Sequence, residues 1–232
     1  MKLILILAVA LIFSFNSTAS AEERIPTISV SGEGMIEVAP DRATISVGVV
    51  TRDKNAAKVQ NDNAKIASEV IKAVAALGID KKNIRTGNYS FYPYYRQENN
   101  RRIADGYEAN NTVTVIVDDL NLVSKVIDVA LSHGANKVDS LEFGIKDKGK
   151  LQNEAIRLAV RDARAKAEVV ASELGKNIIG VLNISVNSGY ISAPRANKFA
   201  MEEMATADTA TPIESGTLSC SANVHVEFEI SR

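Results

Sequence analysis

Between Ile28 and Thr51 the sequence alternates apolar and polar residues with a period of two, and the phase of that alternation changes once. Ile28, Val30, Gly32, Gly34, Ile36 and Val38 hold even positions against Ser29, Ser31, Glu33 and Glu37. Beyond Ala39-Pro40-Asp41 the apolar set moves to odd positions, Ala43, Ile45, Val47 and Val49. Period two marks a half-buried strand, and a straight continuation after a one-residue phase change would turn every side chain to the wrong face. The segment therefore predicts two strands joined by a turn or bulge at Pro40-Asp41, read as a hairpin. Gly32 and Gly34 fall on its buried face, where the missing side chain lets another element approach closely. A phosphate loop built on Gly-Glu-Gly lacks the third glycine and the following helix.

Further elements follow from the same reasoning. Asp53 predicts an N-cap for a helix running to about Leu77 and closed by Gly78, with Val59, Asn63, Ile66, Val70, Ala73 and Leu77 on one stripe. Strands are expected over Asn83–Tyr95 and Gly106–Val117, joined as a hairpin through a polar loop, Gln97–Asp105. Asp118-Asp119 predicts a second helix, Leu120–Ser132, stopped by Gly134 and followed by a strand carrying Leu141, Phe143 and Ile145. A third helix is expected from about Lys150 to Leu174, with Ile156, Val160, Ala163, Ala167, Val170 and Leu174 inward and Gly175 as its stop. Asn177–Val186, apolar on both faces, predicts a central strand. Residues 187–216 show no period and predict a long irregular loop, before a last alternating strand, Thr217–Ile230. The pattern is α+β: a largely antiparallel sheet carrying three helices, with a split β-α-β core of ferredoxin-like type.

At the amino end, Lys2, the apolar run Leu3–Phe13 and Ala19-Ser20-Ala21 form a secretory signal with cleavage expected after Ala21. The run is shorter than the ~20 residues that a spanning helix needs. Residues 22–232 then form a single domain with one cysteine, Cys220, which rules out an internal disulfide. Export without disulfides points to a Gram-negative periplasm. With 27 Lys+Arg, 28 Asp+Glu and a net charge of −1, the basic balance of a nucleic-acid binder is missing.

Sites of chemistry are sparse. His133, before Gly134, reads as a helix C-terminal residue. His225, Glu227 and Glu229 lie in a row on an outward strand face, which does not converge them on a metal. Cys220 lies on an apolar face, where the thiol pKa rises. No serine-hydrolase elbow is present. No catalytic, metal or cofactor residue is therefore assigned. The remaining feature is aromatic: Tyr89, Phe91, Tyr92, Tyr94, Tyr95 and Tyr107 fall on both faces of one predicted hairpin. They cannot all enter one core, so some are expected to be covered by another subunit or, with Arg96, Arg101 and Arg102, to stack on a ligand.

Val30-Ser31-Gly32-Glu33-Gly34, Pro40-Asp41 with Ala43, Ile45 and Val47, and Asn83-Ile84-Arg85-Thr86 together resemble the SIMPL-domain family of bacterial envelope proteins. The resemblance spans Ile28–Ile230 and implies no catalytic residue. It implies a periplasmic or outer-membrane-associated protein that assembles into large, channel-like homo-oligomers, meets envelope partners and supports tolerance of oxidative or envelope stress. The expected function is non-enzymatic self-assembly; the alternative is a ligand- or metal-binding protein or an envelope enzyme.

Overall fold

The computed structural model describes residues 25–195 and 213–232. Seven strands and three helices follow one another: β1 Thr27–Val38, β2 Arg42–Asp53, α1 Ala56–Ala75, β3 Ile84–Glu98, β4 Arg101–Val117, α2 Val123–Ser132, β5 Lys137–Gly144, α3 Lys148–Glu173, β6 Ile178–Arg195 and β7 Thr217–Ile230. The fold is α+β, as the pattern predicts, but the strands form two antiparallel sheets instead of one: β1-β7-β6 and β3-β4-β2-β5. In the second sheet β4 lies between β2 and β3, so an intervening strand splits the β2-α1-β3 unit.

Each sheet has its own core. The odd residues of β2 and Val113, Val115 and Val117 of β4 bury against Ala67, Val70 and Val74 of α1 and Val123, Val126, Ile127 and Ala130 of α2. Even residues of β7, Cys220 to Ile230, bury with Ile28 against α3. The caps shift slightly from their expected positions. Asn55 accepts the Lys58 N–H at the start of α1, with Asp53 bonding Asn55 instead, and Asp119 opens a single 3₁₀ turn, Leu120–Leu122, ahead of α2. Gly78, Gly134 and Gly175 follow the three helices with positive φ, as expected of stops.

The hairpin expected at Pro40-Asp41 does not exist. All of β1 pairs with β7, Thr27 opposite Glu229 through Val38 opposite Leu218, while β2 lies between β4 and β5. Period two reports which face is buried and carries no information on which strand lies alongside, so the phase change marked the chain crossing between sheets. Pro40-Asp41 fastens that crossing: the Asp41 N–H donates to the Gly144 carbonyl (3.1 Å), and the Asp41 carboxylate accepts the Lys146 N–H (2.7 Å). Arg42 pairs with Asp118 at 2.8 Å beside it.

Helix α3 buries Ala155, Ala159, Ala163, Ala167 and Ala171 at a strict spacing of four. Only Ala163 and Ala167 of the expected stripe are fully buried; Ile156 is partly so, and Val160, Val170 and Leu174 are exposed. The reason lies opposite. A Cβ at Gly32 would sit 2.7 Å from the Ala163 Cβ and closer still to the Ala159 carbonyl oxygen; one at Gly34 would sit 2.9 Å from the Leu158 Cβ. Helix and strand meet backbone to backbone, so the smallest side chains take the contact and the larger ones turn away.

Two other expectations change. The strands β3 and β4 run through the predicted polar loop and meet at Asn99-Asn100, both with positive φ, a two-residue turn suited to asparagine. The strand expected to be central, β6, is an edge strand paired only with β7, and it continues through residues 187–195. The rest of the expected 187–216 loop, residues 196–212, and the secretory signal lie outside the described residues.

Candidate functional site

The aromatic residues run along the edge strand β3, Tyr89, Phe91 and Tyr92 on rungs where β4 still pairs with β2, and Tyr94 and Tyr95 where β3 and β4 outrun the sheet. Strand β2 ends at Asp53, opposite Tyr107, and beyond that rung β4 pairs with β3 alone, from Tyr95 opposite Ala104 to Glu98 opposite Arg101. Gly106 lies at the departure point with φ +111°, and a Cβ there would press on the backbone of Asp53. The result is a two-stranded ribbon of exposed residues. Consecutive aromatics such as Phe91 and Tyr92 alternate across the strand, and a bulge between Pro93 and Tyr95 shifts the phase again, so the aromatics spread over both faces. Phe91 stacks on Tyr107 at 5.7 Å on one face, Arg52 lies 4.3 Å over the Tyr94 ring on the other, and Arg102 lies 4.8 Å over Tyr95 at the tip. Tyr89, Phe91, Tyr92 and Tyr95 are each more than 40% exposed.

One charged rung anchors the ribbon. Arg52, Glu108 and Tyr92 sit side by side on β2, β4 and β3. The Glu108 carboxylate, 7% exposed, accepts from Arg52 Nε on one oxygen and from the Tyr92 hydroxyl on the other. Burial pushes the Glu108 carboxyl upward, but the Tyr92 and Arg52 hydrogen bonds and the Arg52 charge outweigh it and hold the group below its ordinary value. A carboxylate with a depressed folded pKa contributes stability above its unfolded pKa and loses it as pH falls through the folded one. Replacing Glu108 by alanine is therefore expected to cost about 1–2 kcal/mol near pH 7, kept low because Arg52 can return to water. The deficit against the unaltered protein should shrink on acidification below the carboxylate range, read by urea unfolding at a series of pH values. A deficit that is constant with pH would show that the ion pair is idle.

Sequence reasoning did not single out Arg52 or Glu108. A charge within a strand is buried only when paired, and which strand brings the partner is what the sequence alone does not give. Of the residues weighed for chemistry, Cys220 is fully buried and its thiol is pushed up by burial. His133 ends α2 with Nδ1 2.8 Å from the Val129 carbonyl oxygen. His225 faces Ser31 Oγ at 3.2 Å across the β1–β7 pair. Among the described residues no three His, Cys, Asp or Glu side chains gather as a metal site, and no helix is long and apolar enough to cross a membrane. Beside the anchoring rung, Arg52, Asp53, Lys54, Tyr94 and Asp105 line a shallow open depression.

Comparison with known proteins matches residues 28–228 to the family described as SIMPL, protein of unknown function (DUF541). The 26 kDa periplasmic immunogenic protein of Brucella melitensis is 30% identical across 96% of this chain and 94% of its own. The uncharacterized protein YggE of Escherichia coli K12 is 25% identical across 88% and 82%, and that of Edwardsiella ictaluri 25% across 89% and 88%. The match runs from Ile28 in the glycine-floored β1 to Phe228 in β7, through both sheets and the aromatic ribbon, and on that evidence the chain belongs to the SIMPL family.

Proposed function

We propose that this chain is a non-enzymatic, self-assembling protein of the bacterial periplasm, and that its assemblies support tolerance of oxidative or envelope stress. The observation that carries the assembly reading is the ribbon. Tyr89, Phe91, Tyr92 and Tyr95, each more than 40% exposed, line both faces of the edge strand β3 and its two-stranded extension; clustered exposed apolar side chains mark contact surfaces, and aromatics flanked by arginine are the composition of protein–protein contacts. The periplasmic reading is supported by the name of the Brucella relative and by the secretory signal expected from the sequence of residues 1–21. Partnership with the outer membrane or other envelope proteins belongs to the same proposal.

Native mass spectrometry of the chain from Glu22 onward should give a homo-oligomer at micromolar concentration, and Phe91→Ser with Tyr95→Ser should reduce its mass while leaving the circular dichroism spectrum unchanged. A strict monomer would sink the reading. Loss of the protein should lower survival under peroxide, restored by the unaltered chain and not by the double variant.

A further inference from the structure

Resting on that self-assembly reading, we propose that the free edge of β6 is a contact between copies. Two β6 strands pair antiparallel across a two-fold axis over Asn183–Asn187, joining two β1-β7-β6 sheets into one of six strands. The two edges of the sheet are treated in opposite ways. At the β1 edge α3 leans over the strand: Asp162 accepts the Glu33 N–H (2.8 Å), and Lys166 Nζ donates to the Ser31 carbonyl (3.2 Å). With these outward groups at Ser31 and Glu33 occupied, the middle of this edge is closed to another strand.

The β6 edge has no such guard. From Asn177 to Ala193 the sequence contains no charged residue and no proline, the residues that natural edges use against pairing. Ile179, Val181, Leu182, Ile184 and Val186 are instead 44–61% exposed. Bulges near Ile178, Val181 and Asn187 break the register with β7 and leave Asn183–Asn187 as the regular stretch among these residues, so pairing is confined there. An axis at Ser185 sets Ile184 against Val186 on the α3 side and Asn183 against Asn187 on the other, with Ser185 facing its own copy. Apolar meets apolar and amide meets amide, with no charge to repel.

The chain's own connector is a poor occupant. The described residues break off at Arg195 and resume at Ile213, which packs against the core of the other sheet. An out-and-back path at ~3.5 Å per residue reaches about nine residues along the edge at full extension, to the neighbourhood of Val186, and leaves Ile184 uncovered.

Ser185→Cys, oxidised with copper phenanthroline at micromolar protein, should give a covalent dimer at least 5-fold faster than Ser31→Cys on the guarded stretch of β1; the buried Cys220 stays out of the reaction. Ile184→Lys with Val186→Lys should halve the native mass without loss of fold, since both side chains are half exposed in the single chain. If neither Ser185→Cys nor cysteines at Ile184 and Val186 cross-link above the control, and the lysine variant keeps its mass, the β6 contact is overturned while self-assembly stands. A monomeric unaltered chain overturns both, and preferential cross-linking to a different protein overturns the self-pairing.

Discussion

Gly34→Val should be among the most destabilising single substitutions in this protein, at about 3–5 kcal/mol. Valine favours a strand over glycine by up to ~1 kcal/mol, so propensity alone predicts a gain. The collision decides the sign. A Cβ at Gly34 would lie 2.6 Å from the Ala159 backbone nitrogen, closer still to the Ala155 carbonyl oxygen, and 2.9 Å from the Leu158 Cβ. Overpacking against side chains ordinarily costs about 1–3 kcal/mol because they can move. Here the atoms struck belong mostly to the helix backbone, so α3 itself must lift from β1, exposing Ala155, Ala159 and Ala163 and parting Asp162 from Glu33. Urea unfolding followed by circular dichroism measures the loss. Met35→Val, one residue along and 63% exposed, should stay within about 0.5 kcal/mol of the unaltered protein. Adding Ala159→Gly should not rescue Gly34→Val, because the obstruction is backbone. Rescue would mean that the helix–strand contact is adjustable and that the two glycines are incidental.

How much of this was legible in the sequence depends on what each pattern encodes. Alternation gave the buried faces of β1, β2 and β7, and the buried residues of β2 and β7 are those it named. It could not give partners, so β1 and β2 were joined into a hairpin when each belongs to a different sheet. Glycine at alternate positions of β1 announced a close approach, but the helix that makes it could not be found by looking for large apolar residues, since the contact selects alanine. The charge-free, two-faced apolar run of β6 was read as a central strand; within one chain it is an edge. The pattern and the topology agree only if another strand adds to that edge, which is the pairing inferred above. The aromatic ribbon was visible as a composition anomaly, whereas its anchoring rung needs three strands in register before Arg52, Glu108 and Tyr92 meet.

Asn63 shows a buried polar group with a defined task, and Asn63→Asp should expose it. The residue is 0% exposed in the middle of α1's apolar stripe, and its Nδ2 donates to the carbonyls of Val49 (2.8 Å) and Ala109 (3.3 Å) on the two central strands. Its Oδ1 takes no protein donor, so the two N–H groups are what the site uses. A carboxylate here loses both donors and turns negative charge toward two carbonyl oxygens at a depth where an unpaired ion costs several kcal/mol. The expected loss is about 3–5 kcal/mol at pH 7. Burial without a cation raises the folded pKa of the new carboxyl above its unfolded value of about 3.9. Below that value the group is protonated in both states, can donate once to a carbonyl, and the loss should fall to about 1–2 kcal/mol. As pH rises the unfolded chain ionises first, and the deficit grows by about 1.4 kcal/mol per pH unit until the folded pKa is passed. Asn63→Leu removes the same donors without a titratable group, so its deficit should stay flat with pH. Urea unfolding of both variants against the unaltered protein from pH 3 to 8 separates the two effects, and a flat profile for Asn63→Asp would mean that α1 shifts to let water reach the group.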